Sequence, residues 1–439
     1  MAEEPQDFEV HGQWWLPEDE DTKVAGTLKN SVTSGAELQL IGALSSDFNG
    51  DGIYPRIHGI ANGKQYTLED SFRTQFRSSM FHPVDATETV RVQQIFKGVW
   101  FTEPDEPNAD QITAQLRYLT QWVSHPGVKS DDIPPSGRGD AQNGKPFAVI
   151  RGYIQPELST TLPDGLSVNI RHGMTEKAHT GTEKTLVEWY AVNFTFPDLI
   201  STSDAIDHMS DFQDLLSIAT GRAAEYDEVR FYHPDVTRDS GQNMHRMPIH
   251  LFCDWLVRDN SKSPGKLHSH QMFFSFDDLG GIQGVRDWLE AAARHRTTLG
   301  RVMASRYRKG LFMEDRIFHR VAAVEAFART RIGYNGVKLP GALKHCCELA
   351  GDEFAELVGD VEQWMRVTKS NRDDIGHHYG KRPDQGGSQK YFLAESIYWL
   401  FVLCMLRDAN APQAVIAKIK DHPEWAWLTP KVQSVVQAG

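Results

Sequence analysis

The chain has 439 residues, 40% of them hydrophobic and 24% charged, with a formal net charge of −13. This length exceeds one ordinary core and predicts two or three domains. The negative charge excludes a protein that binds nucleic acid through its overall field, so any such contact must use a local basic patch. The first residues lack a secretory signal pattern, and the longest apolar run, 396–406, is too short for a membrane span. Four cysteines without CxxC or zinc spacing favour a reducing, cytoplasmic setting, and no membrane partner is expected.

The first 280 residues read mainly as strands. Short apolar or alternating runs, broken by Gly, Asn and Asp, predict a β-rich region over 1–130 that is sandwich or barrel-like. Residues 131–145 are rich in Pro, Gly, Ser and Asp, which predicts a linker or long loop. A second β-rich region is predicted over 146–280, with a strand at "HQMFFSF" (270–276). One helix is expected inside it, over 204–220, ending at Gly221.

From about residue 281 the hydrophobic period changes from two to near 3.6. The pattern predicts a connecting helix over 281–304 and a bundle of four or five helices over 305–439. One of these helices is expected to begin near Phe354 and to continue without interruption to "NRDDIGHHYG" at 371–380. The expected fold class is therefore α+β and multidomain, a β-rich front followed by an all-α helical bundle.

The stretch "RDDIGH" places Arg372 five residues before His377. It lies in a local basic patch, residues 366–390, for which a solvated helix face is the plain alternative. The patch holds six positive and three negative side chains: Arg366, Lys369, Arg372, Lys381, Arg382 and Lys390 against Asp373, Asp374 and Asp384. The same spacing recurs at Arg77 and His82 among strands, so spacing alone does not identify a site. Five helical residues separate two directions by about 140°, and Gly376 is expected to let the helix bend there.

The helical region, roughly 305–430, resembles a HEPN domain, whose nucleases carry Arg, a polar residue, three further residues and His. "RDDIGH" matches that motif with Asp373 as the polar member. The front resembles the amino-terminal domain of the ApeA family of bacterial anti-phage proteins, at "FEVHGQWWLPEDEDTKVAGTL" (8–28), "LQLIGAL" (38–44) and "IHGIANGKQYTL" (57–68). "RIFHRVAAVEAFAR" (316–329) is similar to the first helix of that family's HEPN domain.

The resemblance implies a metal-independent endoribonuclease without a cofactor, acting in abortive infection on cellular RNA, with tRNA as one substrate. It implies a homodimer with a composite site, and a β-rich region that senses a phage-derived trigger or restrains the nuclease. Arg372, His377 and Asp373 are the expected catalytic residues. Arg366, Lys369, His378, Lys381 and Arg382 are the expected RNA contacts.

The residues themselves suit this chemistry. A neutral histidine can take the proton from a ribose 2′-hydroxyl, and an arginine can stabilise the negative charge that develops on the phosphorus oxygens. A non-catalytic sensor on a helical dimerisation bundle is the main alternative. A metal-dependent nuclease is a third reading.

Overall fold

The computed structural model describes residues 7–45, 51–79, 82–102, 106–131, 149–180, 183–241, 243–253, 267–308, 310–377 and 386–439. A β-rich front is followed by a helical back, which confirms the predicted fold class. Residues 132–145 of the predicted linker lie outside the described residues.

Six antiparallel strands close into a barrel at the front of the chain. They are β1 (Phe8–Trp15), β2 (Val24–Ser31), β3 (Gly35–Ile41), β4 (Ile53–Ala61), β5 (Lys64–Ser79) and β6 (His82–Val92). Their order is β5–β4–β1–β2–β3–β6, and β6 also pairs with β5. The interior is filled by fully buried side chains, Trp14 among them. A Cβ on Gly59 would lie 2.1 Å from the Trp14 ring, so this close approach of β4 to the indole requires a glycine.

A second sheet continues from the barrel. Its strands are β7 (Gln94–Lys97), β8 (Asn108–Leu116), β11 (Leu158–Thr161), β12 (Ser167–Thr180), β13 (Glu183–Ser201), β14 (Tyr226–Tyr232) and β17 (Ile249–Cys253). Their order is β11–β12–β13–β8–β14–β17–β7, and the last strand, β7, also pairs with β5 of the barrel. Two small ribbons flank it, β9 (Val128–Asp131) with β10 (Val149–Gly152), and β15 (Thr237–Asp239) with β16 (Met244–Arg246). Because β8 lies between β13 and β14, strands from before and after the predicted linker share this sheet.

The front also carries α1 (Leu119–Val123) and α2 (Thr202–Thr220). The predicted helix over 204–220 is confirmed, and Gly221 ends it with a left-handed φ of 68°.

The strand predicted over 270–276 is wrong. A short 3₁₀ helix, Ser269–Gln271, is followed by a loop whose apolar side chains are buried between the sheet and the helical back. The backbone N–H of Phe273 donates to the carbonyl of Ala219 at the end of α2, and its ring lies 4.7 Å from that of Trp399. The apolar run therefore reflects burial of a loop and not strand pairing.

Within the described residues, the helical back contains the predicted connecting helix and seven further helices, where four or five were predicted. They are α3 (Gly281–Tyr307), α4 (Met313–Ile332), α5 (Leu339–Ala350), α6 (Asp352–Val358), α7 (Val361–His377), α8 (Gly387–Asp408), α9 (Gln413–Asp421) and α10 (Pro423–Ala438). The uninterrupted helix expected from Phe354 is in fact two helices. Gly359 has a φ of 76°, and the Asp360 carboxylate accepts the N–H of Gln363 at 2.9 Å, so α6 stops and α7 restarts.

Among the described helices, none is both long and apolar enough to cross a membrane.

The helix α3 joins the front to the bundle by packing along α2. The Trp288 indole N–H donates to the Asp211 carbonyl at 2.8 Å, and Arg296 pairs with the Asp211 carboxylate at 2.8 Å. Near the end of α3, the hydroxyl of Tyr307 donates to Asp214, whose pKa is raised to about 8 by burial. The second sheet and the bundle thus share one continuous core.

A buried ion network ties α3, α4 and α8 together. Glu395 accepts from Arg306 at 2.8 Å and from Arg320 at 2.9 Å, and its side chain is 3% exposed. The Arg306 guanidinium also lies 3.8 Å from the centre of the Tyr398 ring. Burial disfavours the charged carboxylate, but Arg306 and Arg320 hold the pKa of Glu395 below its usual range. The network is therefore charged on both sides. Glu395 and Arg320 are buried, whereas the Arg306 side chain is 29% exposed.

Replacing Glu395 with alanine should destabilise the bundle by about 3–5 kcal/mol, because two guanidinium groups would stay buried without their carboxylate. The measurement is the thermal or denaturant midpoint of the purified protein, followed by helical circular dichroism. A loss below about 1 kcal/mol, the range of exposed pairs, would contradict this account of the network.

Candidate functional site

The helix α7 has a buried face and an exposed face. Trp364, Val367 and Asn371 are buried, and the Trp364 indole donates to Ser396 Oγ of α8 at 2.8 Å. These contacts fix the rotation of α7 about its axis, so Arg366 and Lys369 face outward. The outer face is where the sequence analysis expects chemistry.

Arg372 lies at the edge of this outer face and is held on two sides. Its Nη1 donates to Asp373 Oδ1 at 3.1 Å, and its guanidinium lies 5.9 Å from the centre of the Phe318 ring on α4. The side chain remains 33% exposed. Lys369 Nζ donates to the other oxygen of Asp373 at 2.7 Å. Lys369, and with it Arg372, holds the pKa of Asp373 below its usual range, so the carboxylate stays charged.

The helix α7 does not break at Gly376, because it continues through Gly376 to His377. The glycine at position 376 is explained instead by its packing. A Cβ there would lie 3.3 Å from the Phe318 ring, so its absence lets the aromatic ring pack against the last turn of α7. The His377 backbone closes the helix, and its side chain lies outside the described residues.

The other predicted RNA contacts divide into two groups. Arg366 is exposed, with its Nε donating to the Gln363 side chain at 2.9 Å, and Lys369 is 49% exposed. His378, Lys381 and Arg382 lie outside the described residues.

Phe318 is a site residue that sequence reasoning missed. The inward stripe of α4 runs through Ile317, Val321 and Val324, all of them buried. Phe318 stands one residue off that stripe and is 37% exposed. An aromatic residue outside the apolar stripe of an amphipathic helix was the available signal.

The second Arg–His pair lies in a different setting. Arg77 is an exposed residue of β5, and His82 begins β6, where it faces Ser79 across the hairpin. The His82 side chain lies outside the described residues. This pair belongs to the barrel wall, far in the fold from the bundle.

The front presents a large cavity of about 870 Å³ beside the barrel. In its wall, Arg73 and Tyr54 both donate to the buried carboxylate of Glu88, at 2.7 and 2.5 Å. Burial, with Glu88 next, raises the pKa of the Tyr54 hydroxyl, so this hydroxyl stays protonated. Arg56 pairs with Glu69 in the same wall. Polar pairs of this kind can orient a bound molecule.

Within the described residues, no group of three or more His, Cys, Asp or Glu side chains is arranged to hold a metal ion.

Comparison with known proteins gives one match. The family model described as ApeA N-terminal domain 1 matches residues 9–285, which include the barrel, the second sheet and the start of α3. No curated protein and no solved structure matches the chain.

Replacing Asp373 with alanine should lower the stability by less than about 1 kcal/mol, because its pairs with Lys369 and Arg372 lie at the surface and are partly open to solvent. The thermal midpoint measured beside that of Glu395→Ala checks this. A shift as large as that of the buried network would mean that the Asp373 carboxylate supports the fold itself.

Proposed function

The chain belongs to the ApeA family, and we propose that it acts in bacterial anti-phage defence as an endoribonuclease that uses Arg372 and His377. The match to the family supports the role in defence. The nuclease activity is a proposal that rests on the helical back.

The observation that carries this proposal is the state of Arg372. Arg320 is buried and its donors are taken, because Glu395, Ser305 and a backbone carbonyl accept from it and the side chain is 0% exposed. Arg372 differs, since one partly exposed carboxylate and one ring orient it while a third of the side chain stays open. An oriented and accessible guanidinium suits recognition of a phosphate, to which it can donate two parallel hydrogen bonds.

The proposed reaction needs only groups of the chain and of RNA. His377 takes the proton from a ribose 2′-hydroxyl, whose oxygen then attacks the adjacent phosphorus. Arg372 stabilises the charge that develops on the phosphoryl oxygens, and Asp373 holds Arg372 in position. The bond to the 5′-oxygen of the next nucleotide breaks, and this oxygen takes up a proton at the expense of the imidazolium formed at His377. The products are a 2′,3′-cyclic phosphate and a 5′-hydroxyl. DNA has no 2′-hydroxyl and would not react.

A second copy of the chain is part of the proposal. Because α7 is helical through His377, positions 372 and 377 leave the helix about 140° apart. Two such helices facing each other across a two-fold axis would bring the arginine of one copy toward the histidine of the other. The front cavity is the proposed place for a phage-derived signal, and cellular RNA, with tRNA among the species, is the proposed substrate.

The direct test is sequencing of RNA ends after induction of the protein in cells, with cleavage by the purified protein measured in parallel. Arg372→Ala or His377→Ala should reduce cleavage at least about a hundredfold and remove toxicity or phage restriction. The double variant Arg77→Ala/His82→Ala is the matched control, since it removes the same two residue types at the same spacing and should leave cleavage unchanged.

Two results would contradict the proposal. If the protein cuts no RNA pool, with or without phage components, it is a sensor built on a dimerisation bundle. If a chelator abolishes cleavage, the reaction depends on a metal ion.

Phe318 provides a finer test of how Arg372 is positioned. Phe318→Ala should lower kcat roughly two- to fivefold, which corresponds to about 0.5–1 kcal/mol of a cation–π contact, with KM little changed. Phe318→Tyr keeps the ring face and should restore the rate. Equal losses in both variants, or a change in KM alone, would show that the ring does not act through Arg372.

A further inference from the structure

A groove lies between α5 and α7, about two helical turns before Arg372. Its volume is about 420 Å³. Pro340, Gly341 and Lys344 line it from α5. Glu362, Met365, Arg366 and Lys369 line it from α7.

We propose that this groove binds the nucleotide next to the one that is cut, with its base on the apolar floor and its phosphates on the basic rim. The inference rests on the proposed function and adds a subsite to it. A single subsite beside Arg372 would hold the strand in register with the reacting phosphate.

The floor of the groove is suited to the face of a base. Pro340 is exposed, and Met365 is half-buried against the core of the bundle. Gly341 adds no side chain between them. Unpaired bases are bound by contact of their faces with flat or apolar side chains, and a thioether adapts its shape well to such contacts.

The rim of the groove is suited to phosphates. Lys344, Arg366 and Lys369 supply three positive charges against the one negative charge of Glu362, a net of +2 in a chain whose total is −13. Lys344 is 70% exposed, and its pair with Glu348 is loose at 3.9 Å. The amino terminus of α5 adds to the positive potential through the helix dipole. No acidic residue in its first turn compensates this partial charge.

The groove and the Arg372 site form one continuous path along α7. Lys369 belongs to the rim of the groove, and it also donates to Asp373, which holds Arg372. Met365 and Arg372 are seven residues apart on the same side of the helix, about 10 Å along its axis. Phe318 borders the far side of Arg372. A strand that crosses Arg372 would therefore enter the groove on one side.

Gly341→Leu tests the groove by filling it. No left-handed φ is needed at Gly341, and a Cβ there would meet only Val337 at an ordinary 3.6 Å. Leucine also favours a helix more than glycine does, so the variant should fold. Gly300→Leu is the matched control, because it makes the same change at an exposed position of α3 with nothing within 4 Å of the new Cβ.

The measurement is equilibrium binding of RNA to the His377→Ala protein, in which the RNA stays intact. Two probes are compared, a dinucleotide that spans only the cut position and a longer single-stranded oligonucleotide. Gly341→Leu should weaken binding of the longer probe roughly tenfold and leave the dinucleotide unaffected, while Gly300→Leu changes neither. Lys344→Ala should weaken binding of the longer probe and lower the slope of log affinity against log salt by about 1.

Equal binding of the longer probe by Gly341→Leu and Gly300→Leu would overturn the proposal. So would a change of oligomeric state in Gly341→Leu, since the groove would then be a contact between subunits. Cleavage by the protein with His377 intact is scored separately. A protein that binds RNA in the groove but never cuts it would refute the nuclease and leave the subsite standing.

Discussion

The helical back depends on one buried carboxylate. Glu395 is reached by Arg306 from α3 and by Arg320 from α4, so three helices share a charge cluster centred on a buried carboxylate. The cost of burying these ions is offset only while all of them stay together, which fixes how the helices sit against one another. Two residues before Arg320, α4 carries Phe318, the ring that lies against Arg372. The geometry of the exposed site thus follows from a network in the interior.

The contrast between the two kinds of arginine supports the functional reading. In the interior, the Arg320 guanidinium is surrounded by acceptors and contributes to the packing of the helices. At the end of α7, the supporting groups hold Arg372 from the side and leave it open to solvent. An oriented and partly exposed guanidinium has donors available to another molecule, which is the basis of the proposed function. The adjoining groove, with positive rim and apolar floor, would extend that surface along the strand.

Much of the architecture could be predicted from sequence, and the errors have physical causes. The helix α2 could be predicted because Gly221 marks its end, and the structure places that glycine in a left-handed conformation. The break between α6 and α7 was missed because Val358 and Val361 keep a helical spacing across Gly359. Closure of the barrel depends on β6 pairing with β3 as well as with its hairpin partner β5. The β3–β6 pairs, such as Leu38 with Val90, join residues far apart in the sequence, and no local pattern reports them. Of the site, Arg372 and Asp373 were recognisable as a motif, whereas Phe318 is brought to them only by tertiary packing.

Arg306 and Tyr307 are neighbours in α3, yet they reach in different directions, one to Glu395 of the bundle and the other to Asp214 of the front. One turn of α3 therefore contacts both the bundle and the front. A bundle expressed alone, beginning at α4, would lack Arg306, one of the two cations that pair with Glu395. It would also expose the apolar side chains of α4 and α8 that α3 covers. Because α3 is part of the core on both sides, a boundary drawn before or after this helix would expose apolar surface on one of them.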